Sequence, residues 1–276
     1  MAVIINYDRD ELLDEFSLKT LQDRYMLETE TSPQEAFARA AVAFSDDDSH
    51  AQRMYDYASK LWFMFSTPIL TNGGTDRGLP ISCFLNYVED SRGGISDHYT
   101  ENAWLSSVGG GIGGTWSDVR SVGSKTSHGS ESTGVIPFMK VVDAQMLAFS
   151  QGVTRRGSYA SYLHISHPEI EEFLDVRKPT GGDSNRKSIN LHHGVSINDA
   201  FMELIYKASK EIGIDDSWEL IDPHTQQVKK TVSAKALWVK LLQNRMETGE
   251  PYIIYIDTVN RQIPQHHKLA GLKVKT

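Results

Sequence analysis

Apolar positions recur at intervals of three and four along two adjacent stretches near the start of the chain. Ser32-Pro33-Gln34-Glu35 opens the first as a helix start, with serine as cap, proline in the first turn and glutamate reaching back; Phe37, Ala40, Ala41 and Phe44 then share a face. Ala51, Met54, Tyr55, Ala58, Leu61, Trp62 and Phe65 repeat the spacing after the acidic turn Asp46-Asp47-Asp48. Residues 33–65 therefore read as a helical pair within an N-terminal helical region, residues 1–65.

From Thr67 the pattern changes to short apolar runs broken by Gly, Pro, Asn and Asp. Phe84 to Val88 reads as a strand, followed by a helical stretch through Leu105 and the run Gly109-Gly110-Gly111-Ile112-Gly113-Gly114. Helices are predicted at 134–149, at 168–177 behind Ser166-His167-Pro168-Glu169, at 199–210, and at 234–247 with Ser233 as cap and Gly249 as stop. Tyr252 to Ile256 is a short apolar strand. Such alternation predicts a largely parallel α/β arrangement over residues 66–276.

Composition adds exclusions. A chain of 276 residues with 39% hydrophobic and 23% charged side chains is ordinary globular material. Residues 1–50 hold 4 basic and 12 acidic side chains, which already equals the net charge of −8, and the remainder balances. With no Lys/Arg cluster, a surface that tracks nucleic-acid phosphates is not expected. No apolar run approaches the roughly 18 residues of a membrane span, and the acidic start is unlike an export signal, so a cytoplasmic location without membrane contact is expected. The single cysteine, Cys83, cannot form an internal disulfide.

Cys83 lies within Leu79 to Val88, about 25 residues before the glycine run. A lone thiol reads either as a small buried hydrophobe or as a redox or nucleophilic centre beside a nucleotide. Gly109-x-Gly111-x-x-Gly114 has the letters of a dinucleotide fingerprint, but that motif needs a strand before it and a helix after, and here a helical stretch precedes. The run is thus expected as a loop, either tightened for packing or bared so that phosphate or sugar can lie against backbone amides. His164 and His167, His192 and His193, and His266 and His267 are pairs without a spaced carboxylate set, and no metal site is expected. Gln151 to Gly157 reads as a loop carrying Arg155 and Arg156, either a solvated turn or a recognition element for phosphate or base.

Taken together, Ser66-Thr67-Pro68-Ile69-Leu70, Ser82-Cys83, Asp90-Ser91, Gly111-Ile112-Gly113 followed by Val119-Arg120, and Ser150 to Gly157 resemble the large (α) subunit of class I ribonucleotide reductase. The resemblance spans nearly the whole chain and is closest to phage-type versions without a regulatory ATP cone. It implies a helical cap followed by roughly the first half of a ten-stranded α/β barrel. It implies that Cys83 is one of two thiols that reduce the ribose and end as a disulfide, and that Thr67, Ser82, Gly110 and Gly111 hold the substrate beside it. It further implies that Asp90, Ser91 and Arg120 bind an allosteric deoxynucleoside triphosphate or ATP effector at a dimer interface, with Arg155 in the loop that relays effector identity to the substrate base.

The resemblance also implies residues that a sequence with one cysteine does not contain: a finger loop with an asparagine, the radical-forming cysteine and a glutamate, then the second reducing cysteine, radical-transfer tyrosines and a C-terminal cysteine pair. The expectation is an N-terminal portion of an α subunit, inactive alone. Its expected partners are a C-terminal α portion, a second α subunit, a β subunit carrying the metal-radical cofactor, a ribonucleoside diphosphate, and a reductant of thioredoxin or glutaredoxin type. No cofactor is expected to be bound covalently. Host cytoplasm is the implied location for a phage-encoded chain. Two alternatives are a noncatalytic effector-binding remnant and an intein-interrupted gene.

Overall fold

The computed structural model describes residues 3–149 and 157–275, which form two compact units, one ending at Ser82 and one beginning at Cys83. The proposed loop arginine, Arg155, lies outside the described residues.

The first unit is helical: α1 (Glu15–Arg24), α2 (Pro33–Ala43), α3 (Asp48–Ser59) and α4 (Thr67–Asn72) follow a short 3-10 turn at Tyr7–Leu12. Ser32 and Glu35 complete the predicted capping box at the start of α2. Ala36, Phe37, Ala40 and Ala41 are buried with Tyr55 and Ala58 of α3; the small alanines let the two helices approach closely. The apolar spacing extended this second helix to Phe65, but α3 ends at Ser59. Leu61 takes a left-handed φ of 60°, its N–H donates to the Ala58 carbonyl and that of Trp62 to the Tyr57 carbonyl. This terminating motif normally uses glycine; with leucine there, composition hides the stop.

The second unit contains β1 (Cys83–Tyr87), α5 (Arg92–Ser107), β2 (Gly111–Thr115), α6 (Ile136–Ala148), β3 (Ser158–His164), α7 (Ile170–Leu174), β4 (His192–Ile197) and α8 (Asp199–Lys210). It continues with β5 (Ser217–Ile221), β6 (Val228–Ser233), α9 (Ala234–Thr248), β7 (Tyr252–Tyr255), α10 (Ile256–Gln262) and α11 (Gln265–Leu269). Five strands form one wholly parallel sheet in the order β1-β2-β3-β4-β7, as the alternation predicted, while β5 and β6 pair separately as an antiparallel hairpin. Among the described residues the sheet does not close: β1 and β7 are its edges.

One face of the sheet is covered. Ile112, Tyr159, Leu163, Val195 and Ile197 are buried against Ile136, Met139 and Val142 of α6, Phe201 of α8, and Leu237 and Leu241 of α9. Burying side chains of this size is worth about 1.5–3 kcal/mol each. Ser233 caps α9 and Gly249 ends it in a left-handed conformation, both as expected. The helix predicted over 168–177 is shorter, because Glu169 turns its carboxylate inward to bond backbone amides elsewhere.

Buried titratable groups give the second unit a defined acid response. Burial pushes His98 and His167 down from 6.5 to about 4. Burial alone would raise the Glu250 carboxyl, but hydrogen bonds from His192 and His193, with Arg177 nearby, overbalance it and hold it well below its ordinary 4.5. In all three the unfolded chain binds more protons in acid, so their stabilisation is complete above pH 6.5 and is lost as pH falls toward 4 and below. Glu169 has the opposite sign, because burial raises its carboxyl, favouring the folded state in acid. A drop from 6.5 to about 4 is worth roughly 3 kcal/mol per histidine, and because the ordinary histidine value lies inside the window from pH 7 to pH 5 while Glu250 titrates below it, the histidines carry the loss there. Urea unfolding midpoints are expected to fall steadily between pH 7 and pH 5; a flat profile would contradict this assignment.

Candidate functional site

In a strand, alternate side chains point to opposite faces, and residues in register on parallel neighbours share a face. Cys83, Leu85 and Tyr87 are the exposed members of β1, whereas Phe84 and Asn86 turn toward the helices. Cys83 is in register with Gly111, and Gly111 with Ser158, so the thiol stands on the face opposite the helices beside a residue with no side chain. The same face carries Tyr162, His164, His192 and Tyr252, and Leu85 is 68% exposed on it. Cys83 is therefore not the small buried hydrophobe that a lone cysteine can be.

The glycine run is not a loop. The N–H groups of Gly109 and Gly110 donate to the Ser106 and Leu105 carbonyls and stop α5, after which Gly111 begins β2 between two partners. Central ladder hydrogen bonds hold glycine in a strand that its propensity disfavours. Helix, glycines, strand is the reverse of the dinucleotide arrangement, as anticipated. Thr67 and Ser82 belong to the first unit: Thr67 opens α4 with its hydroxyl 3.2 Å from that of Tyr25, and Ser82 is buried.

A second concavity, a hollow of about 500 Å³, opens where α5 begins. Ser91 caps α5 through the Gly94 N–H at 2.9 Å. Arg120 Nε donates to both oxygens of Asp90 at 3.0 and 2.9 Å, and its Nη1 donates to the Lys125 carbonyl at 2.8 Å. Asp90 thus aims the guanidinium, and the N-terminal amides of α5 add a partial positive charge to the same wall. The opposite rim is the polar loop carrying Thr126, Ser130 and Thr133, with apolar contact available from Ile95, Val119 and Phe138. Arg92 and Arg120, backbone amides and a modest apolar wall suit a phosphorylated nucleoside, with Asp90 and Glu131 as the carboxylates of the same lining.

Comparison with known proteins bears on both features. Residues 81–272 match the family described as ribonucleotide reductase, barrel domain, and residues 11–78 match ribonucleotide reductase, all-alpha domain. The chain belongs to the ribonucleotide reductase large-subunit family. It is 47% identical over 273 residues to the ribonucleoside-diphosphate reductase large subunit of Invertebrate iridescent virus 6, covering 99% of this chain and 28% of that protein. The corresponding protein of Invertebrate iridescent virus 3 is 41% identical, with 99% of this chain and 50% of the relative covered. The structure also resembles the class Id ribonucleotide reductase alpha subunit of Actinobacillus ureae, with a TM-score of 0.73 at 29% identity, covering 98% of this chain and 45% of that one. This reductase chain thus spans half or less of the length of these relatives.

Within the reductase chain, the described residues bring Cys83 and Gly111 together on the sheet, and Asp90, Ser91 and Arg120 together at the hollow. Sequence reasoning missed three residues near the hollow. Asp222 and Glu169 are buried carboxylates that bind the backbone of the 120–135 loop, and His224 Nδ1 lies 3.2 Å from Asp90 Oδ2. Asp222-Pro223-His224-Thr225 reads in sequence as a turn, and nothing in its spacing announces that it reaches Ser121, a hundred residues earlier. Of the histidine pairs, His192 and His193 both hydrogen-bond Glu250, and His266 and His267 are exposed on α11. Among the described residues no group of three or more His, Cys, Asp or Glu side chains is arranged to hold a metal ion, and no helix is long and apolar enough to cross a membrane.

Proposed function

We propose that this chain is the N-terminal portion of a ribonucleoside-diphosphate reductase α subunit, reducing ribonucleotides once joined by the C-terminal portion and a radical-bearing β subunit. The observation that carries the reading is the exposed Cys83 beside Gly111, on the face opposite the helices of a parallel sheet that, among the described residues, does not close. Replacing the ribose 2′-hydroxyl by hydrogen, with water as leaving group, takes a proton donor at that oxygen and two electrons. Cys83 would supply the proton and, with a second thiol from the complementing portion, the electrons. The pair ends as a disulfide, and a dithiol of thioredoxin or glutaredoxin type restores it by exchange. Gly111 leaves room for the sugar next to sulfur, and Thr67, Ser82 and Gly110 are proposed to hold the diphosphate and ribose. The metal-radical cofactor belongs to the β subunit and supplies the initiating oxidation there. Asp90, Ser91 and Arg120, with Arg155, are proposed to bind the effector deoxynucleoside triphosphate or ATP.

A second reading, a noncatalytic nucleotide-binding module, is favoured by one observation: the hollow is lined by residues of the second unit alone. Co-expression separates the two. The chain alone is expected to be inactive, to co-purify with the C-terminal portion of a related α subunit, and to form deoxyribonucleotides when β subunit and dithiol are added. Effector binding without co-purification would favour the second reading and reject the first.

A further inference from the structure

The hollow at Asp90 and Arg120 is rimmed by a loop with little apolar reason to hold a shape. Between Arg120 and Val135 it carries serines, threonines, glycines and exposed Val122; it closes on itself as a small hairpin, the Gly123 N–H donating to the Ser132 carbonyl at 2.9 Å, the Ser132 N–H to the Ser124 carbonyl and the Thr126 N–H to the Ser130 carbonyl, each at 2.8 Å, with a Lys125–Glu131 ion pair at 2.9 Å and a Thr126–Ser130 hydroxyl contact beside them. The exposed ion pair is worth little, and the backbone bonds shape the hairpin without fixing it to the rest of the unit. Two buried carboxylates behind the loop anchor it there. Asp222 Oδ2 accepts the Ser121 N–H at 2.9 Å and the Ser121 and Ser124 hydroxyls at 2.6 Å each. Its other oxygen accepts the His224 and Thr225 N–H groups and the Thr225 hydroxyl, which fastens the loop's first turn to the turn of the β5–β6 hairpin. Glu169 Oε2 accepts the N–H groups of Val122 and Val135, both at 3.1 Å, and so stitches together the two ends of the loop. Gly134, at a φ of 81°, lies where any Cβ would overlap the Glu169 carboxylate. Arg186 stands 3.3 Å from Glu169 and offsets its charge.

We propose that Glu169 and Asp222 are positioning residues of the Asp90–Arg120 hollow, setting the shape of its loop before a nucleotide arrives. Neither carboxylate lines the hollow. Each acts by paying the ordering of the loop during folding, so that binding does not have to meet it. The hairpin that Asp222 grips also touches Asp90 through His224, so both sides of the hollow are tied to one support. This proposal rests on reading the hollow as a nucleotide site.

The test is calorimetric titration of the full chain with dTTP and magnesium, paired with amide hydrogen exchange. Binding by the wild type and its loss in Arg120→Ala check the underlying reading; a wild type that ignores dTTP, or an Arg120→Ala variant that binds as tightly, refutes that reading and the proposal with it. Glu169→Ala leaves two buried amides unpaired and is expected to weaken dTTP at least about tenfold. Glu169→Gln retains an oxygen that accepts both and is expected to stay within about threefold of the wild type. Ser124→Ala removes one of the donors to Asp222, perturbs folding least, and is expected to cost about threefold. In Glu169→Ala, exchange should accelerate at Val122 and Val135 while β3 and β4 stay protected. If Glu169→Ala and Ser124→Ala bind dTTP like the wild type while Arg120→Ala does not, the positioning role is wrong and the nucleotide site stands. Lost affinity with uniform loss of protection across the sheet would likewise overturn it.

Discussion

Substituting Cys83 by serine is expected to remove multiple turnover from the assembled reductase, by at least about a hundredfold, while leaving dTTP binding at the Asp90–Arg120 hollow unchanged. The exchange is nearly isosteric, and Cys83 is exposed at the first residue of an edge strand, so the sheet has little to lose. The chemistry has much to lose. A serine hydroxyl can place a proton, but it cannot yield electrons by forming a disulfide, so a reaction that ends in one has no route. The two sites occupy opposite ends of β1: the thiol at its start, Asp90 three residues past its last residue, Tyr87. At roughly 3.3 Å per strand residue, β1 puts about 13 Å between Cys83 and Tyr87, which is why one should survive loss of the other. Product formation over many turnovers, measured beside a dTTP titration, checks both halves. Retained multiple turnover would overturn the role assigned to the thiol; loss of dTTP binding together with turnover would mean that serine had damaged the fold.

The parts of this molecule that were legible in its sequence are those whose physics is local. The capping box at Ser32 and Glu35, the Ser233 cap and the Gly249 stop each use side chains within a few residues of one another, and each was found where expected. The strands β3 and β4 were not anticipated, because Ser, Gly and His interrupt their apolar positions and the neighbouring strands supply what propensity lacks. In the β5–β6 hairpin, β6 is mostly exposed and carries Lys229 and Lys230, so no apolar alternation marks it, and in β5 the alternation of Trp218 and Leu220 with Ser217 and Glu219 is only four residues long. Resemblance located the residues at the hollow, Asp90, Ser91 and Arg120. It did not locate Asp222 or Glu169, whose contacts are long-range hydrogen bonds to backbone amides, a kind of bond that leaves no periodic trace in a sequence.

Gly114 separates packing from function within the glycine run, and Gly114→Ala is expected to destabilise the second unit by about 3–5 kcal/mol. In register with Asn86 and Ser161, Gly114 faces the covered side of the sheet, opposite to Gly111 and Cys83. A Cβ there would overlap the Tyr159 hydroxyl and lie 2.8 Å from Tyr159 Cζ and 2.7 Å from Asn86 Oδ1. Tyr159 cannot retreat: it is fully buried, Trp116 Nε1 donates to its oxygen at 3.1 Å, and His98 Nε2 is hydrogen-bonded to it at 2.9 Å. Overpacking costs typically about 1–3 kcal/mol, and moving the ring breaks two buried hydrogen bonds worth about another 1–3 kcal/mol when left unpaired. Set against a total stability of roughly 5–15 kcal/mol, that is a large fraction. Tyr159→Phe in the same background removes the overlapping oxygen but strands the Trp116 and His98 nitrogens, so it should rescue only in part. The double variant should therefore be less destabilised than the sum of the singles. Urea unfolding of the four proteins, followed by tryptophan fluorescence, measures this coupling; strictly additive losses would show that the clash with Tyr159 is not the cause. A coupled result would assign Gly114 to the space needed by the Tyr159 ring, on the face of the sheet opposite to Gly111.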